Sequence, residues 1–274
     1  MANVHDSCHK ALLLCLIVCF KYKDENMIDT LKNRRTIRKY AERDVPEHLL
    51  NELLEVAMRA SNTGNMQLYS VVVTREAAGK EALAPAHFNQ PMITEAPVVL
   101  TFCADANRFV KWAEQRKAEA GFDNLQTFIA STIDAMLFAQ AFCDAAEEKG
   151  LGICYLGTTA YNADKIIEAL SLPRLVVPIV TVTVGYPAHP LPQQPERLPL
   201  AAVAHHESYT DYTPEAIDLL YAEKESLEAN KQFVRENNKE TLAQVFTDIR
   251  YTKKNNEYFS EVLLKVLKDQ GFMK

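Results

Sequence analysis

Between Asp123 and Lys149, apolar residues fall at Leu125, Phe128, Ile129, Ile133, Met136, Leu137, Ala141 and Phe142. That spacing predicts a long α-helix with a broad apolar face, stopped by Gly150. A stripe so wide implies cover on more than one side. A second helical pattern runs through Leu49, Leu50, Leu53, Leu54 and Ala57 to about Ala60. It follows Asp44-Val-Pro-Glu47, whose Asp-x-x-Glu form, with proline in the first turn, reads as a capping box. Met27–Arg34 predicts a short helix with Ile28 and Leu31 inward. Four β-branched or apolar runs predict strands at Tyr69–Thr74, Pro97–Ala104, Leu151–Leu156 and Val176–Val184. Pro178 marks the last as an edge or irregular strand. Shorter helices are expected at Arg75–Leu83, Asp105–Ala120 and Asn162–Leu170. Ser61–Gln67 is a polar loop of turn formers, and Gly185–Pro199 is a proline-rich linker. Thr213–Asn237 and Glu240–Gly271 read as helices with Lys/Glu-rich outer faces. The pattern is α+β, with four or five strands surrounded by helices.

A chain of 274 residues with 48% hydrophobic composition can bury one large core or two small ones. Residues 1–26 read as a dispensable extension, 27–200 as the main domain and 201–274 as a helical C-terminal extension. The apolar run Ala11–Phe20 is too short to span a bilayer. Asp6 precedes it, and no small-residue cleavage site follows. A signal or anchor, or an extra core or partner helix, are the other readings of this segment. A net charge of −6 argues against general binding to nucleic acid or an anionic membrane. The six cysteines form no C-x-x-C pair and no metal-ligand spacing, which fits a reducing compartment and a cytoplasmic protein.

The usual catalytic signatures are missing from the sequence: no G-x-G-x-x-G, no phosphate-cradling G-x-x-x-x-G-K-[ST], no H-E-x-x-H and no G-x-S-x-G. His205 and His206 are adjacent, so their side chains diverge, and they read as surface rather than as metal ligands. Cys154 reads as core rather than nucleophile. If the chain is an enzyme, a cofactor carries the hard chemistry. The one dense chemical feature is Asn33-Arg-Arg-Thr-Ile-Arg-Lys-Tyr40, four cations and a hydroxyl in an acidic chain. Arginine forks suit a phosphate dianion; a solvated turn is the plain alternative.

Four segments in order sharpen that reading. Arg34–Tyr40 follows a short helix. Ser61-Asn-Thr-Gly-Asn-Met-Gln67 lies between a helix and a strand. Gly150-Leu-Gly-Ile-Cys-Tyr-Leu-Gly-Thr158 follows the long helix. Val184-Gly-Tyr-Pro187 and Arg197-Leu-Pro199 follow the last strand. Together they resemble the nitroreductase superfamily of FMN-dependent NAD(P)H oxidoreductases, over about Met27 to Pro199. The resemblance implies a mixed, mainly antiparallel sheet of four to five strands in an interlocked homodimer, with two FMN sites built from both chains and the C-terminal helices packing on the dimer.

It also implies roles. Arg34 or Arg35 holds the phosphate, Thr36 bonds phosphate or ribityl oxygens, and Arg38 reaches the pyrimidine edge. Ser61, Asn62, Thr63 and Asn65 match a loop contributed by the second subunit. Asn89 resembles a polar residue facing the pyrimidine ring. Leu156, Gly157 and Thr158 match the turn whose backbone N–H approaches flavin N5. Arg197 matches a second phosphate cation, although Pro195 stands where a basic residue is common. The implied reaction is ping-pong: hydride from NADPH or NADH to FMN, then two electrons to a nitroaromatic, quinone or flavin acceptor. Lys111, Arg116 and Lys117 are available to a 2′-phosphate by composition alone, and read first as a solvated helix face. Dehalogenase-, flavin-fragmenting- or azoline oxidase-like chemistry, and a non-catalytic FMN-binding protein, are the alternatives.

Overall fold

The computed structural model describes residues 27–273; the expectations for residues 1–26 lie outside the described residues. Four strands form one sheet: β1 (Tyr69–Thr74), β2 (Val98–Asp105), β3 (Gly152–Leu156) and β4 (Val176–Gly185). Their spatial order is β1-β2-β4-β3, and every pairing is antiparallel, so among the described residues the sheet is not mixed. β4 is an inner strand, not an edge. Pro178 is accommodated because it sits opposite Cys103, at the register shift between Phe102 and Cys103, where the ladder is already interrupted.

Around the sheet lie α1 (Met27–Asn33), α2 (Glu47–Ala57), α3 (Ala77–Leu83), α4 (Asn107–Gln115), α5 (Leu125–Glu148), α6 (Ala163–Leu170), α7 (Pro214–Ser226), α8 (Glu228–Glu236) and α9 (Lys253–Asp269). Side chains alternate along the strands. Val98, Leu100 and Phe102 of β2 face one layer, packing with Leu50 and Leu53 of α2 and Phe138, Phe142 and Cys143 of α5. Val99 faces the other layer with Leu83 of α3 and Ile166 of α6. The end of α9 belongs to that second layer: Val266, Leu267 and Phe272 are buried against Ala106, Ala163 and Val177. By contrast, α7 and α8 bury no residue, so residues 201–273 include both core-packed and exposed helices.

Three local expectations change. The α2 N-terminus has no capping box: Pro46 holds the cap position, and the Asp44 carboxylate instead takes two hydrogen bonds from Arg75, at 2.7 and 2.8 Å. An arginine just beyond β1 competes better for that carboxylate than the helix amides do. Ile28 and Leu31 are not inward; they are 61% and 43% exposed. On α5 only one side is buried, through Thr127, Ser131, Asp134, Ala135, Phe138, Ala139, Phe142, Cys143 and Ala146. The other side leaves Leu125, Ile129, Ile133 and Leu137 open to solvent in the single chain. Among the described residues, α5 is the one helix long and apolar enough to cross a membrane, and its buried half is the centre of the core.

Candidate active site

The cationic segment is sewn to the sheet on two sides. The Ile37 N–H donates to the Ile153 carbonyl at 2.9 Å, which lays the segment along β3. Ala41 N–H donates to Tyr186 O and Ala188 N–H to Lys39 O, which tie it to the chain leaving β4. The Tyr40 hydroxyl lies 2.6 Å from Thr183 Oγ1 and donates toward the Ile37 carbonyl. Burial raises its pKa far above the ordinary phenol range, so it stays a neutral pin. Two glycines make the approach possible. A Cβ at Gly152 would sit 2.5 Å from the Ile37 side chain, and one at Gly185 would sit 2.7 Å from Pro97 and 2.8 Å from Tyr40.

Held this way, Arg34 and Arg35 line a cleft of about 410 Å³ with Asn33, Glu147, Gly150, Gly152, Pro187 and His189. The two arginines differ. Arg34 Nε lies 3.2 Å from Glu147 Oε2 at the end of α5, and both side chains are largely buried. Arg35 donates to the carbonyls of Asn33 and Pro192 at 3.2 and 3.3 Å, which fixes its fork and leaves N–H groups for another acceptor. Burial raises the Glu147 carboxyl to about pH 7, against the opposing pull of Arg34. The unfolded chain loses that proton near pH 4.5, the ordinary range of a glutamate, so folding is progressively penalised as pH rises from there to about 7. Glu147→Gln should therefore gain melting temperature relative to wild type at pH 8 and show little difference at pH 4.5. Thermal melts at the two pH values test this.

Arg38 is exposed, but its charge reaches Cys154 on β3: burial pushes that thiol up, and Arg38 opposes the rise. Cys103, Cys143 and Cys154 are free and buried. At the far end of β3, Leu156 is buried and Gly157 is exposed, and a Cβ at Gly157 would meet no heavy atom within 4 Å. Thr158 Oγ1 lies 2.8 Å from His87 Nδ1, which joins this turn to the turn that carries Asn89. Asn89 is exposed with φ 54°. Arg197 is exposed and donates to the Glu196 carbonyl at 3.0 Å, five residues beyond the Pro192 that anchors Arg35.

The 61–67 loop is elsewhere. Its Thr63 N–H and hydroxyl donate to Asp134 Oδ1 at 2.8 and 3.0 Å, and Leu68 N–H donates to Asp134 Oδ2 at 3.2 Å. Arg108 holds the carbonyl side through Gln67 O and Tyr69 O. Asn62 Oδ1 accepts from Gln67 N–H at 3.2 Å. Ser61, Thr63 and Asn65 are exposed. Gly64, Asn65 and Met66 border a second cleft with Arg108, Phe109 and Trp112, while Lys111, Arg116 and Lys117 point to solvent. Asp134 and Glu147 are thirteen residues apart on α5. At 1.5 Å per residue, the loop and the arginine cleft are attached to that helix about 20 Å apart. One chain keeps the two halves of the predicted site separate.

Asp134, Arg108, Glu147 and His87 escaped the sequence reading. Their partners lie tens of residues away, and no local spacing signals them. His205 packs on Tyr209 at 4.3 Å between ring centroids, and no metal-binding group of three or more His, Cys, Asp or Glu occurs among the described residues.

The donor set suits a flavin mononucleotide: a fixed guanidinium pair for the phosphate, a further cation, Arg38, on the segment pinned to β3, and an open glycine turn where a ring could approach a backbone amide. The Nitroreductase family matches residues 31–186. An FMN reductase (NADPH) from Bacillus subtilis is 34% identical over 67% of this chain and 74% of its own. A crystal structure from Bacteroides fragilis shares 63% identity and superposes with a TM-score of 0.88, over 90% of this chain and all of that one. The NfrA1 nitroreductase from B. subtilis superposes with a TM-score of 0.79 at 29% identity, covering 90% and 99%. This chain belongs to the nitroreductase family.

Proposed function

We propose that the chain is an NAD(P)H-dependent FMN oxidoreductase acting as a cytoplasmic homodimer with two composite flavin sites. The observation that carries this is the cationic wall of Arg34 and Arg35, fixed by main-chain bonds to β3 and to the end of β4. Such a wall binds a phosphate without reorganising, which is where its affinity comes from. The B. subtilis relative, by its name, reduces FMN with NADPH. When bound, FMN supplies the two-electron chemistry, taking hydride from NADPH or NADH and passing electrons to a nitroaromatic, quinone or flavin acceptor in a ping-pong sequence.

The chain's own residues do the rest. Arg35 holds the phosphate, with Arg34, Thr36 and Arg197 as further donors. Arg38 keeps a positive charge near the pyrimidine edge, where it favours the reduced, anionic ring. Gly157 lets the backbone N–H come close to N5, backed by Leu156 and Thr158, with Asn89 on the neighbouring turn. Ser61, Asn62, Thr63 and Asn65 come from the partner. Two features support that last assignment: the distance between loop and cleft within one chain, and the apolar side of α5 (Leu125, Ile129, Ile133, Leu137), which a second copy would cover.

Protein freed of flavin, given FMN and then desalted should stay yellow and oxidise NADPH or NADH only with an acceptor, giving parallel initial-rate lines. A colourless protein after desalting would overturn the reading; tight FMN that neither nicotinamide reduces would favour a binding protein. Gly157→Val should fold with little loss of melting temperature and hold FMN at least about tenfold more weakly, because its side chain enters the ring's approach.

A further inference from the structure

His87 ends the turn Ala84–His87, and its side chain is fully buried. One ring nitrogen, Nδ1, lies 2.8 Å from Thr158 Oγ1. The other, Nε2, is buried and has no hydrogen-bond partner. The two turns are tied a second time by Asn162 Nδ2, which donates to the Ala86 carbonyl at 2.8 Å. From the sheet side, the Thr159 hydroxyl donates to Leu156 O at 2.9 Å and accepts from Thr181 N–H at 2.9 Å. The 157–159 turn is therefore clamped from behind by Thr159 and from one flank by His87, and is open at Gly157.

The unpartnered nitrogen decides the tautomer. A buried N–H without an acceptor is rarer and costlier than a bare lone pair. The proton of a neutral ring thus belongs on Nδ1, where it can donate to Thr158 Oγ1. Burial supports neutrality by lowering the imidazole pKa to about 4. With its oxygen accepting from His87, the Thr158 hydroxyl must send its own proton elsewhere.

We propose that His87 is a positioning residue that makes the Thr158 hydroxyl a hydrogen-bond donor toward an acceptor atom of the bound flavin's electron-accepting edge. The inference rests on the flavin reading above. His87 does not touch the cofactor; it sets the polarity of the Thr158 hydroxyl, the one on the glycine turn that the sheet does not already hold.

The test uses FMN-loaded wild type, His87→Phe, His87→Asn, Thr158→Val and the His87→Phe/Thr158→Val double variant. Flavin midpoint potential, kcat and KM are measured, and ¹⁵N spectra of labelled histidine are recorded. Neutral Nδ1–H imidazole for His87 from pH 6 to 8 is expected. His87→Phe and Thr158→Val should each lower kcat about tenfold, the worth of one hydrogen bond, and move the potential in the same direction. The double variant should be no worse than either single one. His87→Asn, whose amide can donate to Thr158, should recover much of the loss. An Nε2–H tautomer, or a lowered melting temperature with unchanged potential and kcat, overturns the proposal. If His87→Phe does not fold, Thr158→Val and His87→Asn carry the same comparison. A wild type that holds no FMN overturns the flavin reading and this inference with it, whereas FMN-loaded variants that match wild type overturn only the role of His87.

Discussion

Arg38→Ala should cut turnover of the flavin-loaded enzyme by about 10²-fold and lower the flavin midpoint potential, with a much smaller change in FMN affinity. The reason is where the charge sits. Arg38 lies on the segment pinned to β3 and is not among the residues that line the cleft of Arg34 and Arg35, although both Arg38 and Arg34 act on Cys154. Two-electron reduction places negative charge on the pyrimidine side of the ring, and a fixed cation there stabilises the reduced form more than the oxidised one. The phosphate stays doubly charged throughout, so a phosphate ligand contributes to binding without favouring either oxidation state. Arg35→Ala should therefore do the reverse, weakening FMN by about 10- to 100-fold, the value of hydrogen bonds to a charged group, with the potential almost unchanged. Arg34→Ala should weaken FMN less, because Arg34 is already committed to Glu147. Spectroelectrochemistry and FMN titration of the three variants separate these outcomes. Equal loss of affinity in all three, with no shift in potential, would contradict the division of roles.

Asp134→Ala should be the most damaging substitution outside the arginine cleft. One carboxylate, 1% exposed on α5, accepts the Thr63 N–H, the Thr63 hydroxyl and the Leu68 N–H. Alanine leaves two backbone donors at the root of the loop without acceptors, a cost of about 2–4 kcal/mol if they stay buried. The loop relieves that cost by moving, which takes Ser61, Asn62 and Asn65 with it. Activity should fall at least about 10²-fold and melting temperature should drop; Asp134→Asn, which keeps one acceptor oxygen, should fall in between. Melting curves and steady-state rates check both. Full activity in Asp134→Ala would mean that the loop takes no part in the site.

The strands and the long helix were legible in the sequence because their apolar periods are strong and local. Tyr69–Thr74 and Val98–Asp105 fall within a residue of where alternation and β-branching put them. What the long helix does with its apolar side was not legible. Ile129 and Ile133 look as core-like in sequence as Phe138 and Phe142 do, yet the single chain buries only the second pair. Hydropathy records that a surface is apolar, not whether the fold of one chain covers it. The Asp44-x-x-Glu47 pattern failed for a related reason: a local motif lost to Arg75, thirty-one residues away. The cationic wall was readable because its residues are consecutive. Glu147, which braces that wall, Asp134, which holds the loop, and His87, which flanks the glycine turn, were not, because each meets its partner only through the fold.

We propose that each flavin site takes its arginines from one chain and its loop from the other. Mixing two nearly inactive variants, Arg38→Ala and Asp134→Ala, under conditions that exchange subunits tests it most directly. In the mixed dimer, one site would carry both defects and the other would carry neither. Random exchange makes half the dimers mixed, so activity should recover to about a quarter of wild type, as a two-fold symmetric composite site requires. Activity that stays at the average of the two parents after verified exchange would mean that each site is built within one chain.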